Sequence, residues 1–253
     1  MIRQSDTLKA FSILFGFILL WLVLELSARL LGSFRGEYGI AVAVLVLTAA
    51  FAVERFVWKQ QLSKAARHLG LTKPHSEALI WTIILSVVLM CFFPVYGFLT
   101  ETPITMRADW PVLLPGLIAQ GGIAEEIVFR GYLFRHFRDG RSFWRAALIS
   151  AVPFIAVHLM LFASLDFVVA LIALLVALSL TFPLAWLFER SGNSIWPPAI
   201  LHFSVQGSIK MLDVEQADFI LLAISWMMIS AAIPWAVFLI LPRAENNPPG
   251  RGD

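Results

Sequence analysis

The run FVVALIALLVALSLTFPLAWLF, residues 167–188, carries no charged side chain over a length that matches the hydrocarbon core of a bilayer. Lipid offers no partner to an unpaired amide or carbonyl, so such a run crosses as a helix, which satisfies its backbone internally. The same pattern recurs on both sides of it. Working outward, comparable runs fall at 144–162, 112–134, 78–99, 39–56 and 11–31 toward the N-terminus, and at 195–209 and 219–241 toward the C-terminus. The reading is an all-α, polytopic membrane protein with about eight transmembrane helices. The run at 195–209 is short and opens on Pro197 and Pro198, residues suited to a first helical turn because the amides there have no intrahelical acceptor. The first run is longer than a signal-peptide core and no small-residue cleavage site is evident, so it reads as retained.

Composition agrees. Of 253 residues 59% are hydrophobic and only 14% charged, with a mean hydropathy of +0.82, more apolar side chain than one water-soluble core encloses. A net charge of +2, without a basic face interleaved with aromatic residues, excludes nucleic acid as a partner. The lone Cys91 lies inside an apolar run and allows no disulfide framework.

The basic residues report topology. With the N-terminus inside, Arg29, Arg35, Arg107 and Lys210 fall outside and Arg130 falls within a span. Every other Lys and Arg of the 19 falls inside. That bias predicts an N-in, C-in layout. Residues 57–77 form the longest polar connection and read as a basic amphipathic segment on the anionic leaflet. Residues 1–243 are expected to form one transmembrane helical domain, with the candidate functional part at about 112–209, and 244–253 a disordered cytoplasmic tail. The expected location is the cell membrane, as a multi-pass protein of a bacterial inner membrane. No internal repeat is evident, which disfavours a transporter.

A charged group at mid-bilayer costs roughly 3 kcal/mol on insertion scales, so intramembrane charges mark a function or a buried pair. Glu125, Glu126 and Arg130 lie together in GGIAEEIVFRGY, residues 121–132. Glu126 and Arg130 are four apart and share a helix face, whereas Glu125 is rotated by roughly 100° from Glu126. One carboxylate can pair while its neighbour points elsewhere. His158 follows Phe154 by four residues in the next run, and His202 precedes Gln206 by four in the short one. Two carboxylates and two imidazoles on three helices supply a base, an orienting group and polarising donors, the requirements for water attack on an amide. Counted from the inner ends, Glu125 lies ~15 Å deep, His202 ~10 Å and His158 ~20 Å. Convergence therefore calls for tilt, a kink at Pro153 or a fifth helix that begins below the headgroups.

These residues resemble those of the CPBP family, the CAAX proteases and bacteriocin-processing enzymes also called Abi proteins. The family's marks are Glu-Glu-x-x-x-Arg, Phe-x-x-x-His and His-x-x-x-Asn or Asp on successive transmembrane helices. Here they read Glu125-Glu126-Ile-Val-Phe-Arg130, Phe154-Ile-Ala-Val-His158 and His202-Phe-Ser-Val-Gln206. The resemblance covers about 121–206. It implies an intramembrane endopeptidase in which Glu125 and His158 activate water, His202 and Gln206 stabilise the oxyanion, and Glu126 and Arg130 support them. Gln206 departs from the family's Asn or Asp by one methylene. The family has been described as metal-dependent, and zinc accepts Glu and His. The spacing lacks His-Glu-x-x-His, so a site with no metal and no cofactor is expected.

The expected partners are membrane lipids and a membrane-associated peptide or protein substrate. The family's range includes lipidated proteins, secreted peptides and sorting signals. A non-catalytic membrane scaffold that retains the polar site is the alternative. Elsewhere, Glu25 and Arg29 read as a pair near the outer interface, Asp166 as a helix cap, and His68, His75 and His136 as solvated loop residues.

Overall fold

A computed structural model describes residues 4–32, 36–163 and 166–242. The expected tail at 244–253 and Arg35 lie outside the described residues. Helix accounts for 81% of the structure. Among the described residues seven helices are long and apolar enough to cross a membrane. They are α1 (Gln4–Leu30), α2 (Gly39–Phe56), α4 (Ser76–Thr100), α5 (Trp110–Arg138), α6 (Phe143–Ala163), α7 (Phe167–Arg190) and α9 (Asp218–Ile240). Two shorter helices complete the set, α3 (Leu62–His68) between α2 and α4, and α8 (Trp196–Gln206) between α7 and α9. The 57–77 connection, expected to carry an amphipathic helix, holds only the seven residues of α3.

The short run at 195–209 becomes α8, 11 residues long and continued by a 3₁₀ turn at Ser208–Met211. It falls below span length, yet its ends meet opposite ends of the bundle. At its start the Ile195 amide donates to the Gly70 carbonyl, in the link between α2 and α4. At its end β2 (Leu212–Asp213) pairs antiparallel with β1 (Thr105–Met106), in the link between α4 and α5. Because α4 joins those two links, α8 covers the same course as that helix in fewer residues.

The bundle's outer surface is apolar. On α4, Ile80, Ile83, Ile84, Val87 and Val88 are all exposed, a face that lipid covers and water would not. The centre belongs to α5, 56% of whose span window is buried, against 28–33% for the other six long helices. It packs on α1, α2, α6, α7 and α8. Small residues allow those approaches: a Cβ on Gly122 would stand 2.9 Å from the Ala199 carbonyl of α8, and one on Gly131 would collide with the Leu69 carbonyl after α3.

One end of the bundle is stitched by ionic and polar contacts. Lys9 at the start of α1 pairs with Asp139 after α5 at 2.6 Å, and its ammonium holds the Asp139 carboxyl below the usual carboxylate range. Arg138 grips Glu189 of α7 through two nitrogens at 2.7 and 3.0 Å. The Trp186 indole donates to the Leu241 carbonyl at 2.9 Å. Both ends of the described chain therefore lie on one face. Arg29 pairs with Glu25 at 2.6 Å, and Asp166 caps α7 by accepting the Val168 amide at 2.9 Å, both as expected.

We expect the face that carries both ends to be cytoplasmic, since most Lys and Arg lie in its loops. A cysteine placed at exposed Lys64 in a Cys91→Ser background should resist an impermeant maleimide in intact cells and react after permeabilisation. Labelling from outside would reverse the assignment.

Candidate active site

Around the two glutamates α5 is wound wider than an α-helix. Its backbone is π-helical over Ile118–Ala124 and again over Ile127–Phe134, with Glu125 and Glu126 between. Turns of this kind concentrate at functional sites, where they redirect side chains out of the regular helical stripe. Gly121 and Gly122 lie in the first wide stretch and leave room for α8: a Cβ at Gly121 would stand 2.8 Å from Gln206 Oε1.

Glu126 is fully buried. Its Oε1 accepts from Arg130 Nη1 at 2.8 Å and from His202 Nδ1 at 2.7 Å. The four-residue pairing with Arg130 was expected; the bond to His202 was not, because nothing in the spacing of α5 and α8 announces it. That bond commits His202 Nδ1–H and turns Nε2 toward Glu125, 3.6 Å from Oε2. Gln206, one turn on, donates from Nε2 to Glu125 Oε1 at a long 3.4 Å. Glu125, Glu126, Arg130, His202 and Gln206 thus make one connected polar set.

His158 completes it without touching it. Its Nδ1 lies 2.8 Å from the Phe154 carbonyl. A carbonyl only accepts, so Nδ1 carries the proton and Nε2 is left with its lone pair. Phe154 separates the two parts of the site, its ring beneath the Arg130 guanidinium at 5.5 Å and edge-on to Phe129 at 4.6 Å. α5 runs to Arg138 rather than stopping near 134, so Glu125 lies farther from the stitched face than the run length placed it and closer to the depth of His158.

Two cavities meet at these residues. The smaller, of about 180 Å³, lies toward α1 and is lined by Trp21, Glu25 and Arg29 as well as Glu125, His158 and Gln206. The larger, of about 440 Å³, lies between α6, α7, α8 and α9, with walls such as Val169, Ala173, Val176, Leu180 and Trp226. Glu125, His158 and Gln206 line both, a polar boundary between a charged recess and an apolar chamber. Lys210, which the sequence reading assigned only to a side of the membrane and not to the site, also lines the chamber. Its position four after Gln206 and eight after His202 was the available signal. Among the described residues the only trio of His, Cys, Asp or Glu whose ligand atoms lie within 4.8 Å of one another is Glu54, His68 and His136.

Fold and site together define a class: a polytopic helical membrane protein whose carboxylates and imidazoles cluster inside the bundle. Comparison with known families narrows it. Residues 107–207 match the family model described as type II CAAX prenyl endopeptidase Rce1-like, so over that segment the chain is similar to the CPBP family of CAAX proteases. The match begins just before α5 and ends just after α8, so it contains all six site residues. No curated protein matches the chain.

Removing Glu126 would strand the Arg130 guanidinium without its carboxylate and release His202. Breaking a buried pair in this way costs about 3–5 kcal/mol. Glu126→Ala should therefore melt at a markedly lower temperature in detergent, whereas Glu125→Ala, whose contacts are long, should melt close to wild type. Equal melting temperatures for Glu126→Ala and wild type would remove the structural role given to this carboxylate.

Proposed function

We propose that the protein is an intramembrane endopeptidase that hydrolyses a peptide bond of a membrane-associated protein or peptide by glutamate- and histidine-activated water. The observation that carries this reading is the position of Glu125 and His158, which line both the charged recess and the apolar chamber. An apolar chamber accepts the membrane-embedded part of a substrate, and a recess lined by Glu25 and Arg29 keeps water available. The scissile bond then lies at the boundary.

In this mechanism Glu125 takes a proton from the water as its oxygen attacks the carbonyl carbon, and later returns that proton to the departing amine. His158, with Nε2 free, orients the water. The oxygen of the tetrahedral intermediate receives hydrogen bonds from His202 Nε2–H and from the Gln206 amide, which leaves Glu125 for the substrate. Glu126 holds the His202 ring and balances the charge of its doubly protonated form, as a buried carboxylate does for a catalytic imidazole. Arg130 balances Glu126 in turn. No step is routed through an ion. The match over residues 107–207 supports the reaction class; the residue roles are those that the resemblance to the CPBP family implies, and the distances in the site are compatible with them.

Purified protein reconstituted with a membrane-anchored peptide tests the proposal. Glu125→Ala should abolish cleavage in a folded protein. Losing one oxyanion donor costs on the order of 3 kcal/mol, about a hundredfold in rate, so Gln206→Leu should fall by that factor. Gln206→Asn keeps the amide and should retain substantial activity. If Leu at 206 matches Gln, the side chain only fills space and the donor role passes to His202 alone. A scaffold would cleave in no variant, and wild-type turnover by Glu125→Ala would remove the mechanism.

A further inference from the structure

A second cluster of ionisable side chains lies at the stitched face, where α2, α3 and α5 end. Glu54 sits in the last turn of α2, His68 closes α3 and His136 lies in the last turn of α5. Glu54 Oε1 stands 3.2 Å from His68 Nδ1 and 2.9 Å from His136 Nε2. Read as separate loop residues, the two histidines should be solvated. Instead His136 is buried, His68 is half-buried and Glu54 is fully enclosed.

Hydrogen bonding alone leaves this cluster incompletely satisfied. If both imidazoles are neutral donors, Glu54 remains a buried anion, and its Oε2 is enclosed with no hydrogen-bond partner. Arg135, the neighbour of His136 in sequence, forms no salt bridge with Glu54: its guanidinium lies over the Phe188 ring at 6.0 Å, and its Nη1 is buried without a partner. A carboxylate and two imidazoles that converge on one point, with a spare buried oxygen, are what a divalent transition ion requires.

We propose that Glu54, His68 and His136 bind a divalent transition metal of the zinc type, at a site separate from Glu125. Zinc bonds of about 2.0–2.2 Å in a tetrahedral arrangement place ligand atoms roughly 3.4 Å apart. The observed separations of 2.9 and 3.2 Å need to widen by only a few tenths of an ångström. Each imidazole then coordinates through its unprotonated nitrogen, His68 by Nδ1 and His136 by Nε2, with its proton on the other ring nitrogen. Neutral imidazoles and an ionised carboxylate take up the ion without net proton release. Glu54 Oε2 or water completes the coordination. Water and ion reach the site through a cavity lined by His68, Arg138, Asp139 and Asn193.

The surroundings hold the ligands in place, as outer groups do at metal sites. Trp58 stacks on His136 at 4.1 Å with 23° between the planes, and Tyr132 meets the same ring edge-on at 4.7 Å. The Tyr132 hydroxyl accepts from the Trp58 indole at 3.2 Å and donates to the Ser12 carbonyl of α1 at 3.3 Å. An ion here fastens α3 to the inner ends of α2 and α5. Two residues past His68, the Gly70 carbonyl receives the Ile195 amide that starts α8, the helix of His202. The metal is thus a clamp on the segment that seats α8, independent of whether the Glu125 site cleaves anything.

Full-length protein in detergent, stripped with a chelator and dialysed, is titrated with Zn²⁺ by calorimetry, with Co²⁺ absorption as the spectroscopic readout. Wild type should bind one equivalent, give the visible bands of low-symmetry Co²⁺, and melt several degrees higher with Zn²⁺ than without. His68→Ala removes a ligand at the half-exposed edge without opening the core; it should bind at least tenfold more weakly and lose the melting shift. Glu125→Gln and His158→Gln should bind as wild type does. The proposal fails if stripped wild type takes up no stoichiometric metal, if His68→Ala binds as tightly as wild type, or if binding disappears with the Glu125 or His158 substitutions.

Discussion

A carboxylate enclosed in an apolar bundle has to be neutralised, and Glu126 is neutralised twice over. One of its oxygens serves both Arg130, on its own helix, and His202, on α8. An unpaired charge at this depth would cost several kcal/mol, so the shared oxygen ties α5 to α8 more firmly than apolar packing between the two helices could. Lipid supplies no hydrophobic drive between membrane helices; close packing and polar contacts hold them instead. The aim of His202 Nε2 at Glu125 follows from that one bond.

The rest of the site can be understood as what this constraint makes possible. Because Glu126 absorbs the Arg130 charge, Glu125 keeps only long contacts, to Gln206 at 3.4 Å and His202 at 3.6 Å, and stays open to the cavities on both sides. The wide turns of α5 place adjacent glutamates in different surroundings, one sealed and one accessible. The sealed one organises and the accessible one faces the chamber. Small residues at Gly121 and Gly122 let α8 come close enough for both contacts.

Much of this was legible from sequence because lipid imposes simple rules. Run length located the long helices, and the i, i+4 spacings of Glu126–Arg130 and His202–Gln206 gave shared faces that the structure reproduces. What was not legible depended on partners remote in the chain. The inner end of α5 was placed too early because Arg135 and Arg138 read as loop residues, whereas Arg138 is paired with Glu189, 51 residues away. That boundary created the apparent disagreement in depth between Glu125 and His158. His136 looked solvated because its partner, Glu54, is 82 residues distant. The short run at 195–209 has too few residues for any length rule, and only the contact of Ile195 with Gly70 and the pairing of β2, just after it, with β1 reveal its course.

The central claim is that Glu125 and His158 face one hydrated boundary between recess and chamber. An experimental structure of the protein in lipid nanodiscs, at a resolution that reveals ordered water, measures this directly. The account predicts a water held between the Glu125 carboxylate and His158 Nε2, with the Glu126–His202 bond intact behind it. A dry, sealed cluster, or a His158 ring turned away from Glu125, would contradict it.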